Sequence, residues 1–185
     1  QNAIKNLGFG LLNKVILEFP RVFWNDNVDY FGQTREDSEE RGEFYIFWNL
    51  HKCTGKPILV SLMAGKAAHE SENLEADVIV GRVLRLLKRT FGESIPEPVK
   101  TEKTCWGSDP FALGTYSFVG VGSSGADYDI LRQPLGNLFF AGEATERNHP
   151  ATAAGAYLSG LRTAGSVVNW CYGPIKVNAD IERIN

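Results

Sequence analysis

The residues that could do chemistry cluster late in the chain. Leu138-Phe139-Phe140-Ala141 is a short apolar run that delivers Gly142 and the carboxylate Glu143, and Asn148-His149-Pro150-Ala151-Thr152-Ala153 then opens a helix-forming segment. Proline is pre-set for a first helical turn and threonine can cap one. The N–H groups of Thr152 and Ala153 are therefore expected to point outward at the positive end of a helix. Such an end holds an anion, or negative charge that develops in a reaction. Ala156, Gly160 and Ala164 recur every four residues and would let a sheet or a flat ring approach closely, while Leu158, Leu161, Gly165 and Val168 fill another face. On these residues alone, a tightly packed core helix is the plain alternative.

Gly120-Val121-Gly122-Ser123-Ser124-Gly125 matches the dinucleotide pattern G-x-G-x-x-G, and Glu143 follows about 20 residues on, where that pattern places a ribose-binding acid. The pattern works by aiming the amides of a following helix at a pyrophosphate. Here Pro134 and Gly136 cut the helical stretch after about two turns, with no crossover back to a parallel strand. We read it as a Gly-rich loop near an active site, and place any true dinucleotide motif upstream. His51, His69 and His149 with the three cysteines lack metal-ligand spacing, so no metal is expected, and no Ser-His-Asp order is arguable.

The elements that must position these groups follow from composition and periodicity. The 185 residues are 43% hydrophobic, 11% aromatic and 22% charged, a globular balance that excludes collagen-like, low-complexity and wholly disordered classes. A net charge of −3 and a pI near 5.7 exert no pull on phosphate backbones or anionic lipid, so neither direct nucleic-acid binding nor a membrane partner is expected. Cys53, Cys105 and Cys171 form no C-x-x-C pair and fit a reducing compartment. The chain opens Gln1-Asn2-Ala3 and is expected to be part of a longer protein.

Strands are expected over 13–19, with Lys14 near the start, and over 43–50 and 58–64, which the turn Thr54-Gly55-Lys56-Pro57 joins into an antiparallel meander. Residues 26–42 read as a solvated hairpin loop, with the acid-rich run 35–41 a dock for a basic peptide as the alternative. Val78, Val80, Val83, Leu84, Leu87 and Phe91 predict an amphipathic helix over 77–91, ended by Gly92. A stiff connector at 95–98 leads into an alternating, strand-like 99–106. A boundary near Cys105 divides the chain into 1–104, 105–172 and a polar tail, 173–185. Past it we expect a short strand at 138–141 and a helix from about 151 to 170.

Phe139-Phe140-Ala141-Gly142-Glu143, followed by Pro150-Ala151-Thr152 and Gly155-Ala156-Tyr157-Leu158-Ser159-Gly160, resembles the C-terminal FAD-binding signature of flavin-dependent amine oxidases. Trp106-Gly107-Ser108-Asp109-Pro110-Phe111, Gly114-Thr115-Tyr116-Ser117 and Gly122-Ser123-Ser124-Gly125-Ala126-Asp127-Tyr128-Asp129 are similar, within that family, to the lysine-specific histone demethylases. Gly8-Phe9-Gly10, Leu12-Asn13-Lys14-Val15 and Phe47-Trp48-Asn49-Leu50 look like the same branch. The likeness runs from about residue 8 to residue 168. It implies a fold of α/β plus α+β class: the C-terminal part of an FAD-binding Rossmann-like domain beside a mixed or antiparallel-sheet substrate domain.

The resemblance also implies roles. Glu143, with Gly142, would lie beside FAD and accept hydrogen bonds from its hydroxyls. The helix start at Ala151, Thr152 and Ala153 would face the flavin N1 and O2 edge and favour its reduced, anionic form. Lys14 would hold a water near flavin N5 and assist proton movement or oxygen activation. Tyr116 would be the aromatic wall against which the amine rests. Trp106, Phe111 and Thr115 would line the flavin, and Trp48, Tyr128 and Thr152 the substrate pocket. Thr152 stands where many amine oxidases carry a second aromatic, which suits methyl-lysine on a bulky peptide.

Two departures, Ala154 and the longer hairpin Cys53-Thr54-Gly55-Lys56, bear on substrate preference. The implied reaction is oxidative demethylation of mono- or dimethyl-lysine in histone tails, releasing formaldehyde and hydrogen peroxide. It would take place in the nucleus and within a corepressor-type chromatin complex. A polyamine oxidase of the same fold and an inactive chromatin scaffold are the alternatives.

Overall fold

The computed structural model describes residues 2–35 and 37–174, so most of the expected polar tail, and Glu36 of the acid-rich run, lie outside the described residues. The element order is α1 (Asn2–Asn6), β1 (Gly8–Gly10), β2 (Leu12–Glu18), β3 (Tyr30–Gly32), β4 (Glu43–Asn49), α2 (His51–Thr54), β5 (Ile58–Ala64), α3 (Gly65–Glu72), α4 (Ala76–Phe91), β6 (Lys100–Lys103), β7 (Tyr116–Phe118), α5 (Gly125–Leu131) and α6 (Ala153–Tyr172). The described residues form two compact units, one spanning Gly10–Thr115 and the other joining residues 2–9 to 116–174. No helix among the described residues is long and apolar enough to cross a membrane.

The Gly10–Thr115 unit is built on a five-stranded sheet in the order β3-β4-β5-β2-β6, with every neighbouring pair antiparallel. Period-two alternation sets its faces. Asn13, Val15 and Leu17 of β2 are buried, while Lys14 and Ile16 point to the half-exposed side. Lys14 pairs with Leu62 and Trp48 with Val60, so both project from the face opposite the core. The core face, with Val15, Leu17, Phe47, Leu59 and Met63, is covered by Ile79, Val83 and Leu87 of α4. Each such buried side chain is worth about 1.5–3 kcal/mol. Gly92 closes α4 at φ 95°, its N–H returning to the Lys88 carbonyl.

Three expectations for this unit change. The turn at 54–57 is preceded by the short helix α2, which ends on Gly55 in the left-handed region at φ 71°. Residues 26–42 are not all loop, because Phe31 stacks on Phe47 at 5.0 Å and brings β3 onto the sheet edge. The strand expected over 99–106 stops at Lys103, since the amides of residues 106–108 are drawn off the sheet by Asn13 and Glu72. The same bonds hold residues past Cys105 in this unit, and the division between units falls between Thr115 and Tyr116.

In the other unit, β1 and β7 form a two-stranded ribbon, and α1 packs on α5 with Asn6 donating to Asp127 at 3.4 Å. The helix after the Gly-rich run is only 7 residues long. Its first amides are taken by its own cap, with Ser124 Oγ accepting from Ala126 N–H and Asp127 accepting from Ser124 N–H. The strand expected at 138–141 does not form. Leu138 makes one isolated bridge to Leu135, and no strand among the described residues lies beside the run to complete a ladder. Helix α6 starts at Ala153 because Ala151 takes φ 57° and Thr152 stays extended as the cap.

Candidate functional site

Glu143 is the hub of the second unit. One carboxylate oxygen accepts from the Ser117 amide at 2.9 Å; the other accepts from Ser117 Oγ and from the Ala151 amide, each at 2.7 Å. One side chain thus ties β7 to the segment entering α6. Gly142, at φ 124°, adopts a backbone that only glycine takes without strain, and its N–H donates to buried Ser159 Oγ at 2.8 Å.

The start of α6 is assembled by Thr152. Its hydroxyl donates to the His149 carbonyl at 2.7 Å and accepts from Gly155 N–H at 2.9 Å. Gly155 is required here, because a Cβ would sit 2.0 Å from the His149 oxygen. With Gly155 and Ala151 amides occupied, the N–H groups of Ala153 and Ala154 remain without an intrahelical acceptor, on exposed residues. Arg162 braces the assembly from the next turns, its guanidinium donating to Thr145 Oγ1 at 2.8 Å. Burial depresses the Arg162 pKa below the usual range, and the like charge of Arg132 adds to the effect.

The structure brings Gly142, Glu143, Ala151, Thr152 and Ala153 together. Tyr116 is partly exposed on β7, beside Ser117. Tyr128 is 1% exposed, with its hydroxyl 3.1 Å from Ser117 Oγ, and so supports the Glu143 network from inside the unit.

In the Gly10–Thr115 unit, Lys14 makes no ion pair among the described residues and shares the open sheet face with Trp48, which is half exposed. Trp106 is 40% exposed on a turn, and Phe111, at 97%, is held outward by the Asp109 carboxylate, which caps the amides of Phe111 and Ala112. Thr115 is anchored through its hydroxyl and amide to the Gly10 carbonyl. Sequence reasoning missed Asn13 and Glu72, which hold the Trp106 turn. Asn13 carries the signal that could have found it, a polar residue in line with Val15 and Leu17 on an inward-facing register. Burial pushes the Glu72 carboxyl up, but hydrogen bonds from Ser108, Asn13 and the Gly107 and Ser108 amides outweigh that and leave it below the usual carboxylate range.

The donor set at α6 suits a ring edge that gains negative charge. Two exposed amides sit at the positive end of a 20-residue helix, and Ala151, just before its cap, takes φ 57°. Such donors could hold the anionic edge of a ring.

The family model described as "Flavin containing amine oxidoreductase" matches residues 1–168. "Lysine-specific histone demethylase 1 homolog 2" of Arabidopsis thaliana is 53% identical over 173 residues, covering 91% of this chain and 23% of that protein. "Lysine-specific histone demethylase 1 homolog 3" of the same plant is 47% identical over 184 residues, 98% of this chain and 11% of that protein. "Possible lysine-specific histone demethylase 1" of Drosophila melanogaster is 48% identical over 185 residues, 94% of this chain and 20% of that protein. The chain therefore spans a quarter or less of these curated relatives. Among solved structures, a putrescine oxidase redesigned in its cofactor binding superposes with a TM-score of 0.74 at 20% identity, over 90% of this chain and 37% of that one, which places the fold. The chain belongs to the flavin-containing amine oxidoreductases, whose cofactor is FAD.

Proposed function

We propose that the complete protein carrying this chain is an FAD-dependent oxidase of mono- and dimethyl-lysine in histone tails, working in the nucleus within a chromatin complex. The observation that carries the reading is the start of α6, where Thr152 and Gly155 close the cap and leave the Ala153 and Ala154 amides as donors to developing negative charge. Bound FAD supplies the acceptor for a hydride and the path for electrons to oxygen.

The remaining steps belong to side chains. Glu143 fixes the helix entry against β7, so its donors are aimed before any ligand arrives. Tyr116 presents an aromatic face to an amine. Lys14 Nζ, free of ion pairs among the described residues, orients a water by hydrogen bonding. Thr152, small and exposed, leaves room for a peptide-borne methylammonium. The lysine-demethylase names of relatives near 50% identity support a histone substrate over a free polyamine.

The test is turnover by the full-length protein on a dimethyl-lysine histone peptide, a trimethyl-lysine peptide and spermine, with formaldehyde and hydrogen peroxide as readouts. Equal release of both products from the dimethyl peptide alone is expected. Preferential oxidation of spermine would make it a polyamine oxidase, and a flavin-free protein that still assembles into a chromatin complex would make it a scaffold.

A further inference from the structure

Within Gly10–Thr115, a buried polar network links Lys14, to which the proposed function gives a role, to the turn of Trp106, which the resemblance implies lines the flavin. Asn13 is fully buried, where an amide is costly unless its polar atoms are partnered. Its Nδ2 donates to Glu72 Oε1 at 2.5 Å and lies 3.4 Å from Ser71 Oγ. Its Oδ1 accepts from the Trp106 amide at 3.0 Å and the Thr104 hydroxyl at 3.2 Å. Glu72 then gathers the next residues, accepting from Gly107 N–H at 3.1 Å, Ser108 N–H at 2.9 Å and Ser108 Oγ at 2.6 Å. Thr104 closes the loop: its Oγ1 accepts from Lys14 N–H at 2.8 Å, and its own amide donates to the Lys14 carbonyl at 3.0 Å.

Gly107 shows how closely the turn is drawn in, since a Cβ there would meet Leu11 at 3.1 Å and the Glu72 carboxyl at 3.3 Å. A carboxylate accepting from four groups on two segments is a strong anchor, because each bond is charge-assisted. The side chains of Lys14 and Trp106 stay solvent-accessible while their backbones are pinned through one cluster.

We propose that Glu72 and Asn13 are positioning residues for amine oxidation, fixing the Trp106 turn relative to Lys14. This rests on the proposed function, in which Lys14 orients a water, and on the family resemblance, which implies that Trp106 lines the flavin. A misplacement of about 1 Å can cost on the order of 10²-fold in rate, so a turn released from its anchor affects chemistry even in a variant that still folds.

The test uses the complete flavoprotein and anaerobic flavin reduction by dimethyl-lysine peptide. Glu72→Ala is expected to slow reduction roughly 10- to 100-fold, to leave KM within about threefold and to shift the visible flavin bands. Glu72→Gln, which keeps one acceptor oxygen, recovers part of the rate. Combined with Trp106→Phe, the losses are less than multiplicative, because both act through one turn. Wild-type rate and spectrum in Glu72→Ala, or losses that multiply independently, overturn the proposal and leave the functional reading standing; a colourless wild-type protein overturns both. Should Glu72→Ala fail to fold, Ser108→Ala removes one donor only and must show the same shifts in smaller degree. An unchanged rate and spectrum there also overturn the proposal.

Discussion

Lys14, Thr152 and Gly155 each rest on a distinct physical requirement, and each gives its own prediction. Lys14→Ala in the full-length protein removes a hydrogen-bonding cation from an open sheet face and leaves the core untouched. Turnover should fall on the order of 10²-fold with the thermal midpoint unchanged, which steady-state kinetics beside a melting curve would establish. Thr152→Pro deletes an N–H and the capping hydroxyl, and forces φ away from −127°; flavin reduction should slow about tenfold, read by stopped-flow absorbance. Gly155→Ala drives a methyl into the His149 carbonyl, so the purified variant should hold little FAD. The capping role of Thr152 was legible in the sequence, because Pro-Ala-Thr before a long small-residue run has one plain reading. Glu143 was legible as a carboxylate at the mouth of the helix but not as a three-way acceptor, because its partners Ser117 and Ala151 are set by tertiary structure.

Among the elements, legibility followed apolar periodicity. Helix α4 repeats its buried residues at helical spacing and was expected to within a residue; Leu87→Ala, at its fully buried centre, should cost roughly 2–5 kcal/mol in denaturant unfolding. Helix α3 buries only Ala68 and Ser71 and gave no periodic signal, although it carries Glu72. The run 138–141 gave a strong strand signal and formed none, because a strand is a property of a pair. The anchoring of α3 by Glu72 is pH-dependent. Its carboxyl is held below its ordinary value of 4.5, so the charged form is favoured by folding. The stabilisation is complete above that value and is lost as pH falls through the depressed folded value. Glu72→Gln should therefore lower stability by about 1–3 kcal/mol near neutrality, with the gap to wild type narrowing below pH 4.5 in pH-stepped melts.

At the scale of the whole molecule, α6 buries only Gly155 and Ser159 among the described residues, while Tyr157, Leu158, Leu161 and Trp170 stand exposed. The small-residue and leucine faces were legible in the sequence; what covers them was not, since burial depends on a partner surface. Residues 1–185 prepared alone should bind a hydrophobic dye such as ANS and should not retain FAD, whereas the full-length protein should do the reverse; gel filtration with absorbance at flavin wavelengths would decide it. The carboxylate at 143 has a consequence for how such a protein can change. Because the same two oxygens tie β7 to the segment entering α6, a substitution there disturbs the scaffold together with the helix start. Deep mutational scanning should find position 143 intolerant even under selection for folding alone, so new specificities would have to arise at neighbours such as Thr152 and Ala154.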